Sequence, residues 1–264
     1  MASIGTVGGS VGYLERVPEQ PVGLPILFLH GVGSDKSVWA PQLEHFGKRS
    51  HAIAADYPGY GESDLVLGAG HDDYADAMVA LLDALDIPRA HVCGLSLGGV
   101  VAIAMAARHP GRCGGLIIAD SFALHHDGQA IHDRSLAAAR QLGMRGLAEA
   151  RVDALIAPGA PEGLREEVIE TMAKIDPDAY VHGARAVWLA DQRSRVASIT
   201  HKSLILCGEK DEITPPLLSI KLVEAMPNAQ LRIIAGAGHL ANAERPDDFN
   251  RVVDEFLSDL NEKA

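Results

Sequence analysis

A G-x-S-x-G pentapeptide at residues 94–98 is the feature of the chain that most constrains its fold. It follows a short apolar run, 91–93, that is typical of a buried strand. It precedes small apolar residues, 99–107, that favour a helix packed on a sheet. In a strand–turn–helix context the central serine of this motif is held as an exposed nucleophile, with glycines where a Cβ would crowd the turn. The pattern therefore predicts a nucleophile at Ser96; the alternative is an ordinary Gly/Ser turn.

Continuous apolar runs alternate with helical patterns along most of the chain. Such runs are typical of strands that are buried on both faces of a parallel sheet. The strand candidates are residues 24–29, 51–55, 116–119, 204–207 and 231–234, and the helical patterns are 73–85, 217–225 and 247–260. The alternation predicts an α/β fold with a doubly wound, mostly parallel sheet. Gly8-Gly9 predicts an N-terminal β-hairpin, and Asp72 or Asp73 is expected to cap helix 73–85.

One stretch, residues 122–194, breaks the alternation. It has no strand-like run and is rich in Ala, Arg and Glu, with an interruption at Pro158-Gly159-Ala160-Pro161. A chain of 264 residues with 47% hydrophobic residues fits one α/β domain with an insertion better than two domains. We therefore predict a core of residues 1–121 and 195–264. Residues 122–194 are predicted to form a helical lid over the carboxyl edge of the sheet, where ligands bind in such folds.

A serine nucleophile needs a base and a group that orients the base. In this topology the acid and then the histidine follow the serine along the chain. Asp211 comes directly after one predicted strand, and His239 follows the next strand in a glycine-containing loop. We predict Asp211 and His239 as the partners of Ser96. The alternatives for Asp211 are a helix cap of the Thr214-Pro215-Pro216 region or replacement as the acid by Asp120, which follows an earlier strand. A surface or packing role is the alternative for His239.

Backbone donors for an oxyanion are expected at two loops. The N–H of Leu97 follows the nucleophile at the start of its helix, and the N–H of Val32 lies in the Gly-rich loop after strand 24–29. The alternative for the second loop is an ordinary Gly-rich turn.

Charge and cysteine content narrow the class of protein. A formal charge of −12 argues against nucleic acid or an anionic membrane as partner. The first residues lack the pattern of a signal peptide, and no apolar stretch is long enough to span a membrane. Cys93, Cys113 and Cys207 are predicted to be small buried residues in a reducing compartment. We expect a cytoplasmic protein without metal or cofactor, and the sequence leaves its oligomeric state open.

Together these motifs resemble the α/β-hydrolase superfamily across nearly the whole chain. The segments that carry the resemblance are HGVGSD, DYPGYGESD, GLSLGG, GEKDEITPP and GAGHLANAERPDDFN. Within the superfamily the chain is similar to the 3-oxoadipate enol-lactonase group, through WAPQL, LGMRGLA and HLANAERP. Related esterases, C–C bond hydrolases and cofactor-free haloperoxidases share much of this pattern. Dehalogenases and epoxide hydrolases of the same superfamily have aspartate at the nucleophile position and form alkyl-enzyme esters. Ser96 at this position implies an acyl-enzyme instead.

The resemblance implies a serine hydrolase that acts on a small ester or lactone. Two alternatives remain: a C–C bond hydrolase of ring-cleavage products that uses the same triad, and a non-catalytic ligand receptor on the same fold. Four side chains in the segment 122–194 are predicted to contact the substrate. Arg134 and Arg145 are candidates to bind a substrate carboxylate, and Met144 and Trp188 are candidates to line the acyl pocket. The alternatives are a solvated helix face for the arginines and packing of the lid for the apolar residues.

Overall fold

The computed structural model describes residues 2–261, and an eight-stranded sheet forms its centre. The strands are β1 (Ala2–Thr6), β2 (Gly9–Arg16), β3 (Ile26–Leu29), β4 (Ala52–Ala55), β5 (Ala90–Leu95), β6 (Cys113–Ala119), β7 (Ser203–Gly208) and β8 (Ala229–Ile234). Their spatial order is β1-β2-β4-β3-β5-β6-β7-β8. β1 and β2 pair antiparallel, β2 also pairs antiparallel with β4, and the remaining neighbours are parallel. The predicted hairpin and the predicted mostly parallel sheet are confirmed.

Helices cover both faces of this sheet. They are α1 (Ala40–Phe46), α2 (His71–Ala84), α3 (Leu97–Arg108), α4 (Gly128–Leu155), α5 (Leu164–Ala173), α6 (Pro177–Trp188), α7 (Arg193–Val196), α8 (Pro216–Ala225), α9 (Ala241–Glu244) and α10 (Pro246–Asn261). Burial on both faces explains the continuous apolar sequence of β3, because successive side chains of a strand point to opposite faces. Leu27 and Leu29 join the core that contains α2 and α3, whereas Ile26 and Phe28 join the core that contains α1 and α10.

Four helices, α4 to α7, stand between β6 and β7 and form what we call the helical insertion. The Pro158–Pro161 stretch falls between α4 and α5, as its composition predicts. Helix α4 is kinked at Gly143, whose φ of +69° is readily adopted only by glycine. That the helical insertion acts as a lid stays a prediction.

The start of α2 differs from expectation. The helix begins at His71 after Gly70, so neither predicted aspartate is the N-cap residue. Instead, Asp73 accepts a hydrogen bond from the backbone N–H of Gly70 at 2.8 Å, from the third position of the helix. An acidic residue at this position satisfies a free donor of the first turn and also suits the helix dipole.

Two further findings concern the rest of the chain. Cys93, Cys113 and Cys207 are buried as free thiols. Among the described residues, no helix has the length and apolarity that crossing a bilayer requires.

Candidate active site

Ser96 lies in a strained turn between β5 and α3. Its φ of +55° and ψ of −113° put a non-glycine residue in the left-handed region, which costs of order 1–3 kcal/mol. A Cβ on Gly94 would lie 2.0 Å from the carbonyl oxygen of Gly98, and a Cβ on Gly98 would lie 2.1 Å from that of Leu29. Both glycines are therefore required by close backbone contacts. The strain holds the serine side chain where the sheet edge meets the cavity described below.

His239 and Asp211 meet at the carboxyl ends of neighbouring strands. Because β7 and β8 are parallel and adjacent, the loops that follow them lie side by side. His239 Nδ1 is 2.9 Å from Asp211 Oδ2. The Asp211 carboxylate also accepts hydrogen bonds from the backbone N–H groups of Ile213 and Thr214, at 2.8 and 2.9 Å, and from the Thr214 hydroxyl at 2.6 Å. This arrangement fixes the acid and orients the imidazole.

Electrostatics keep the Asp211 carboxylate ionised. Burial alone would raise its pKa, but the charge and hydrogen bond of His239 and the Thr214 donors lower it to about 2. A carboxylate that is ionised at neutral pH accepts the proton of Nδ1 and leaves Nε2 of His239 as the basic nitrogen.

A cavity of about 370 Å³ connects Ser96 with His239, and both side chains line it. No hydrogen bond joins these two side chains among the described residues. Hydrogen bonds between a nucleophile and its base are often loose until substrate is bound. The two residues are therefore positioned at one cavity, with His239 anchored from behind by Asp211.

Asp120 follows β6 and lies in the same acidic region. Burial, and next the charge of Asp211, raise the pKa of its carboxyl group well above the usual range. Its Oδ1 accepts a hydrogen bond from the Gly208 N–H at 2.7 Å, and its Oδ2 has no partner among the described residues. The surroundings of Asp120 thus favour its protonated form, and the imidazole of His239 hydrogen-bonds to Asp211 instead.

The loop after β3 brings the predicted oxyanion donor to the serine. A Cβ on Gly31 would lie 3.5 Å from the Cβ of Ser96, so the backbone of this loop passes directly beside the nucleophile. Val32 lines the cavity, and its N–H donates no hydrogen bond among residues 2–261. Leu97 is buried immediately after Ser96 as the first residue of α3, where an N–H has no partner within the helix. That these two N–H groups bind an oxyanion stays a prediction.

A buried ion pair that the sequence analysis missed supports this loop. Lys36 and Asp56 are buried, and their charged groups lie 2.5 Å apart. Asp56 also accepts the backbone N–H of Lys36 at 2.8 Å, and Glu62 pairs with the same ammonium group. Tyr60 adds a hydrogen bond of 3.2 Å to the carbonyl of Val32. These contacts hold the loop in place. They join segments that are distant along the chain, so no local sequence pattern predicts them.

The structure separates the four predicted substrate contacts. Trp188 lines the cavity, and its indole N–H has no hydrogen-bond partner among the described residues. Met144 is buried in the core cluster rather than in the cavity lining. Arg134 is exposed, and Arg145 is exposed and forms an ion pair of 2.9 Å with Glu170. Arg134, Met144 and Arg145 therefore do not line the cavity: the two arginines face solvent, and Met144 packs into the core.

Other residues of the helical insertion line the cavity instead. They come from the end of α4, the following loop and α5: Arg151, Leu155, Pro161, Glu162, Leu164, Glu167, Val168, Thr171 and Met172. For Arg151, the helical spacing of the sequence could have indicated an inward position. Met144, Leu147, Ala148, Val152 and Leu155 form the buried stripe of α4, and Arg151 falls on the same stripe.

Two groups of side chains have the composition of metal ligands. Asp120, Cys207 and Asp211 place ligand atoms within 4.8 Å of one another, as do His125, His126 and Asp127. In the first group Asp211 is engaged by His239 and Thr214, and burial raises the pKa of the Cys207 thiol. In the second, both ring nitrogens of His125 lie 3.2 Å from backbone groups. We assign neither group to a metal.

Comparisons with known proteins identify the family of the chain. A model of the alpha/beta hydrolase family matches residues 26–252. The chain is 27% identical over 241 residues to 3-oxoadipate enol-lactonase 2 of Acinetobacter baylyi, a match that covers 89% of each protein. It is 28% identical to 2-hydroxymuconate semialdehyde hydrolase of a Pseudomonas species, over 97% of this chain and 94% of the relative.

Solved structures show the same likeness. The crystal structure of the enol-lactonase from Burkholderia xenovorans superimposes with a TM-score of 0.89 at 25% identity, over 97% of this chain and 100% of that one. A thermophilic esterase from Thermogutta terrifontis, solved with malate bound, also gives 0.89 at 25% identity, over 98% of both chains. The predicted resemblance to enol-lactonase-like hydrolases is confirmed. The chain therefore belongs to the alpha/beta hydrolase family, and it is a hydrolase.

Proposed function

We propose that this hydrolase cleaves a small ester or lactone through an acyl-enzyme on Ser96, with His239 as general base and Asp211 as the group that orients it. The observation that carries the proposal is the shared cavity: a serine in a strained turn and a histidine anchored by a buried carboxylate line one apolar space. Strain at a buried polar residue is retained where function requires it.

The geometry supports a two-step reaction. The Ser96 hydroxyl attacks the carbonyl carbon while Nε2 of His239 takes its proton, and Asp211 stabilises the resulting imidazolium through Nδ1. The N–H groups of Val32 and Leu97 stabilise the oxyanion. Collapse of the intermediate breaks the bond to the leaving oxygen, which receives the proton from His239. Water, deprotonated by His239, then attacks the acyl-enzyme and releases the acid and Ser96.

The helical insertion supplies the shape of the substrate site in this proposal. It covers the cavity from the end of α4 and from α5, so it excludes water and selects the acyl group, as a lid does. The walls there are largely aliphatic, and Trp188 closes one side. A small-molecule ester or lactone fits a cavity of about 370 Å³.

A second candidate is hydrolysis of a C–C bond in a ring-cleavage product. The likeness to a 2-hydroxymuconate semialdehyde hydrolase over 97% of the chain supports it. The same triad would serve, and the two candidates differ in the bond that is broken. Side-by-side assays of p-nitrophenyl esters, a lactone and a dienone ring-cleavage product separate them by their kcat/KM values.

The decisive variant is Ser96→Ala. Removal of a triad nucleophile is expected to lower kcat by roughly 10⁶-fold while thermal unfolding stays cooperative. A fluorophosphonate probe should add its mass to the peptide that contains Ser96 in the wild-type protein and leave the variant unlabelled. Retention of a tenth of the wild-type rate in the purified variant overturns the assignment. A wild-type protein that binds esters without any turnover would instead favour the receptor reading.

A further inference from the structure

We propose that Arg151 binds a carboxylate, so that the preferred substrate is an ester or lactone that carries a free carboxylate away from the scissile bond. The inference rests on the proposed function, because it concerns the same cavity. It replaces Arg134 and Arg145, which lie outside that cavity, with a residue that lines it.

The position of Arg151 is unusual for an arginine. It is half-buried on the inward stripe of α4, between Ala148 and Leu155, and lines the cavity together with Ser96 and His239. A guanidinium on the inward stripe of a helix is costly to place beside apolar walls unless it has a partner. An exposed position on the same helix, such as that of Arg140, carries no such cost.

The guanidinium is held in place but not neutralised. Arg151 Nη1 donates to the hydroxyl of Tyr180 at 2.8 Å, and Tyr180 is fully buried on α6. This bond uses one of the five N–H donors of the side chain. Among residues 2–261, no carboxylate oxygen lies within 4.0 Å of the guanidinium nitrogens of Arg151.

Four other arginines in and beside the helical insertion have carboxylate partners, whereas the exposed Arg134, Arg140 and Arg185 have none among the described residues. The pairs are Arg145 with Glu170, Arg165 with Asp153, Arg193 with Asp191, and Arg195 with Asp72. Arg151 differs from these four because its free donors belong to a residue that lines the active-site cavity. A planar guanidinium matches a carboxylate with two parallel hydrogen bonds, which gives both affinity and orientation.

Two acidic residues also line the cavity and must be weighed. Glu162 and Glu167 are exposed, so water and salt screen their charges. Neither forms an ion pair with Arg151. The surrounding walls of Leu155, Val168 and Met172 are apolar and suit a short aliphatic chain between the carboxylate and the reacting carbonyl.

The test compares two p-nitrophenyl esters of similar length, the anionic mono-p-nitrophenyl adipate and the neutral p-nitrophenyl heptanoate. Arg151→Met is expected to lower kcat/KM for the adipate ester by about 10- to 100-fold, mainly through KM, because a charge-assisted hydrogen bond is lost. The neutral ester should change by less than about twofold. Arg140→Met, an exposed arginine on the same helix, is the matched control, and Arg151→Lys should restore part of the preference.

Binding without turnover separates this inference from the proposed function. Calorimetry with free adipate should detect binding to Ser96→Ala and a matching loss of affinity in Ser96→Ala/Arg151→Met. If wild-type protein hydrolyses both esters and Arg151→Met affects them equally, the carboxylate site is wrong while the esterase assignment stands. If adipate binds through Arg151 but neither ester is hydrolysed, the carboxylate site stands and the proposed function fails.

Discussion

The carboxyl edge of the sheet and the helical insertion contribute to the same cavity, yet their residues obey different rules. At the sheet edge, Ser96, Asp211 and His239 each follow a strand, and parallel pairing brings those strand ends together. Position along the chain therefore fixes position in space. In the helical insertion, what a side chain meets depends on the rotation of its helix and on what the helix packs against. The type of amino acid alone does not determine which neighbours its side chain contacts.

Helix α4 shows the difference within two turns. Met144 and Arg151 are seven residues apart, about 700° of rotation, so they lie on nearly the same stripe. Arg145 is turned by about 100° from that stripe and faces solvent, where it pairs with Glu170. The same stripe buries Met144 in the core and brings Arg151 to the cavity. Spacing thus identifies an inward face, but not which inward residue reaches substrate.

The strongest test of the sheet edge exchanges its two aspartates for asparagine, one at a time. Asp211→Asn should lower kcat by about 10⁴-fold, because an amide favours the wrong imidazole tautomer. Asp120→Asn should stay within about tenfold of wild type, since an amide resembles the neutral acid at that position. Steady-state kinetics on one activated ester measure both. The opposite ranking would show that Asp120 orients the histidine.

Glycine replacements compare the backbones of the two regions. Gly98→Ala should destabilise the protein by more than about 4 kcal/mol, because its Cβ would lie 2.1 Å from a backbone oxygen. Gly143→Ala, at the kink of α4, meets no atom within 4 Å. Its cost is the strain of a positive φ alone, roughly 1–3 kcal/mol. Urea unfolding monitored by circular dichroism gives both values, and equal costs would mean that the elbow is no tighter than the kink.

A pH series tests the neutral acid at the sheet edge. The pKa of a free aspartate is about 3.9, whereas burial and the charge of Asp211 raise that of Asp120. At a pH between these two pKa values, the folded state therefore holds a proton that the unfolded state has lost. Stability from this group is complete below pH of about 3.9 and falls as the pH rises towards the raised pKa.

Asp120→Asn does not titrate, so its Tm should rise relative to wild type between pH 5 and pH 8, by roughly 2–4 °C for each kcal/mol gained. Thermal unfolding of both proteins across that range measures the difference. A Tm difference between Asp120→Asn and wild type that stays constant with pH, or that becomes smaller as the pH rises, contradicts a raised pKa of Asp120. A parallel series with Asp178→Asn serves as the control, because this exposed aspartate of the helical insertion has no hydrogen bond or ion pair to its carboxylate among the described residues.

Much of the fold and the candidate triad follows from the sequence, since apolar runs mark the strands and the loops after them carry the polar residues. The predicted start of α2 lies two residues after the observed one. The reason is that Asp73 accepts its hydrogen bond from the third position inside the helix rather than from the N-cap position. The ion pair of Lys36 with Asp56 joins segments 20 residues apart through folding alone. The cavity wall from α5 likewise depends on how α4 and α5 pack.

The smallest expected effect concerns the two arginines that the sequence analysis selected. Arg134→Met and Arg145→Met should each change the ratio of kcat/KM between the anionic and neutral esters by less than about twofold, because neither side chain reaches the cavity. Exposed ion pairs such as that of Arg145 with Glu170 contribute about 0–1 kcal/mol, so stability should hardly change. The same kinetic assay that tests Arg151 measures the ratio. If either variant loses the anionic preference that Arg151→Met retains, the inward face of α4 is opposite to the one described, and the rule that separates the two regions fails on this helix.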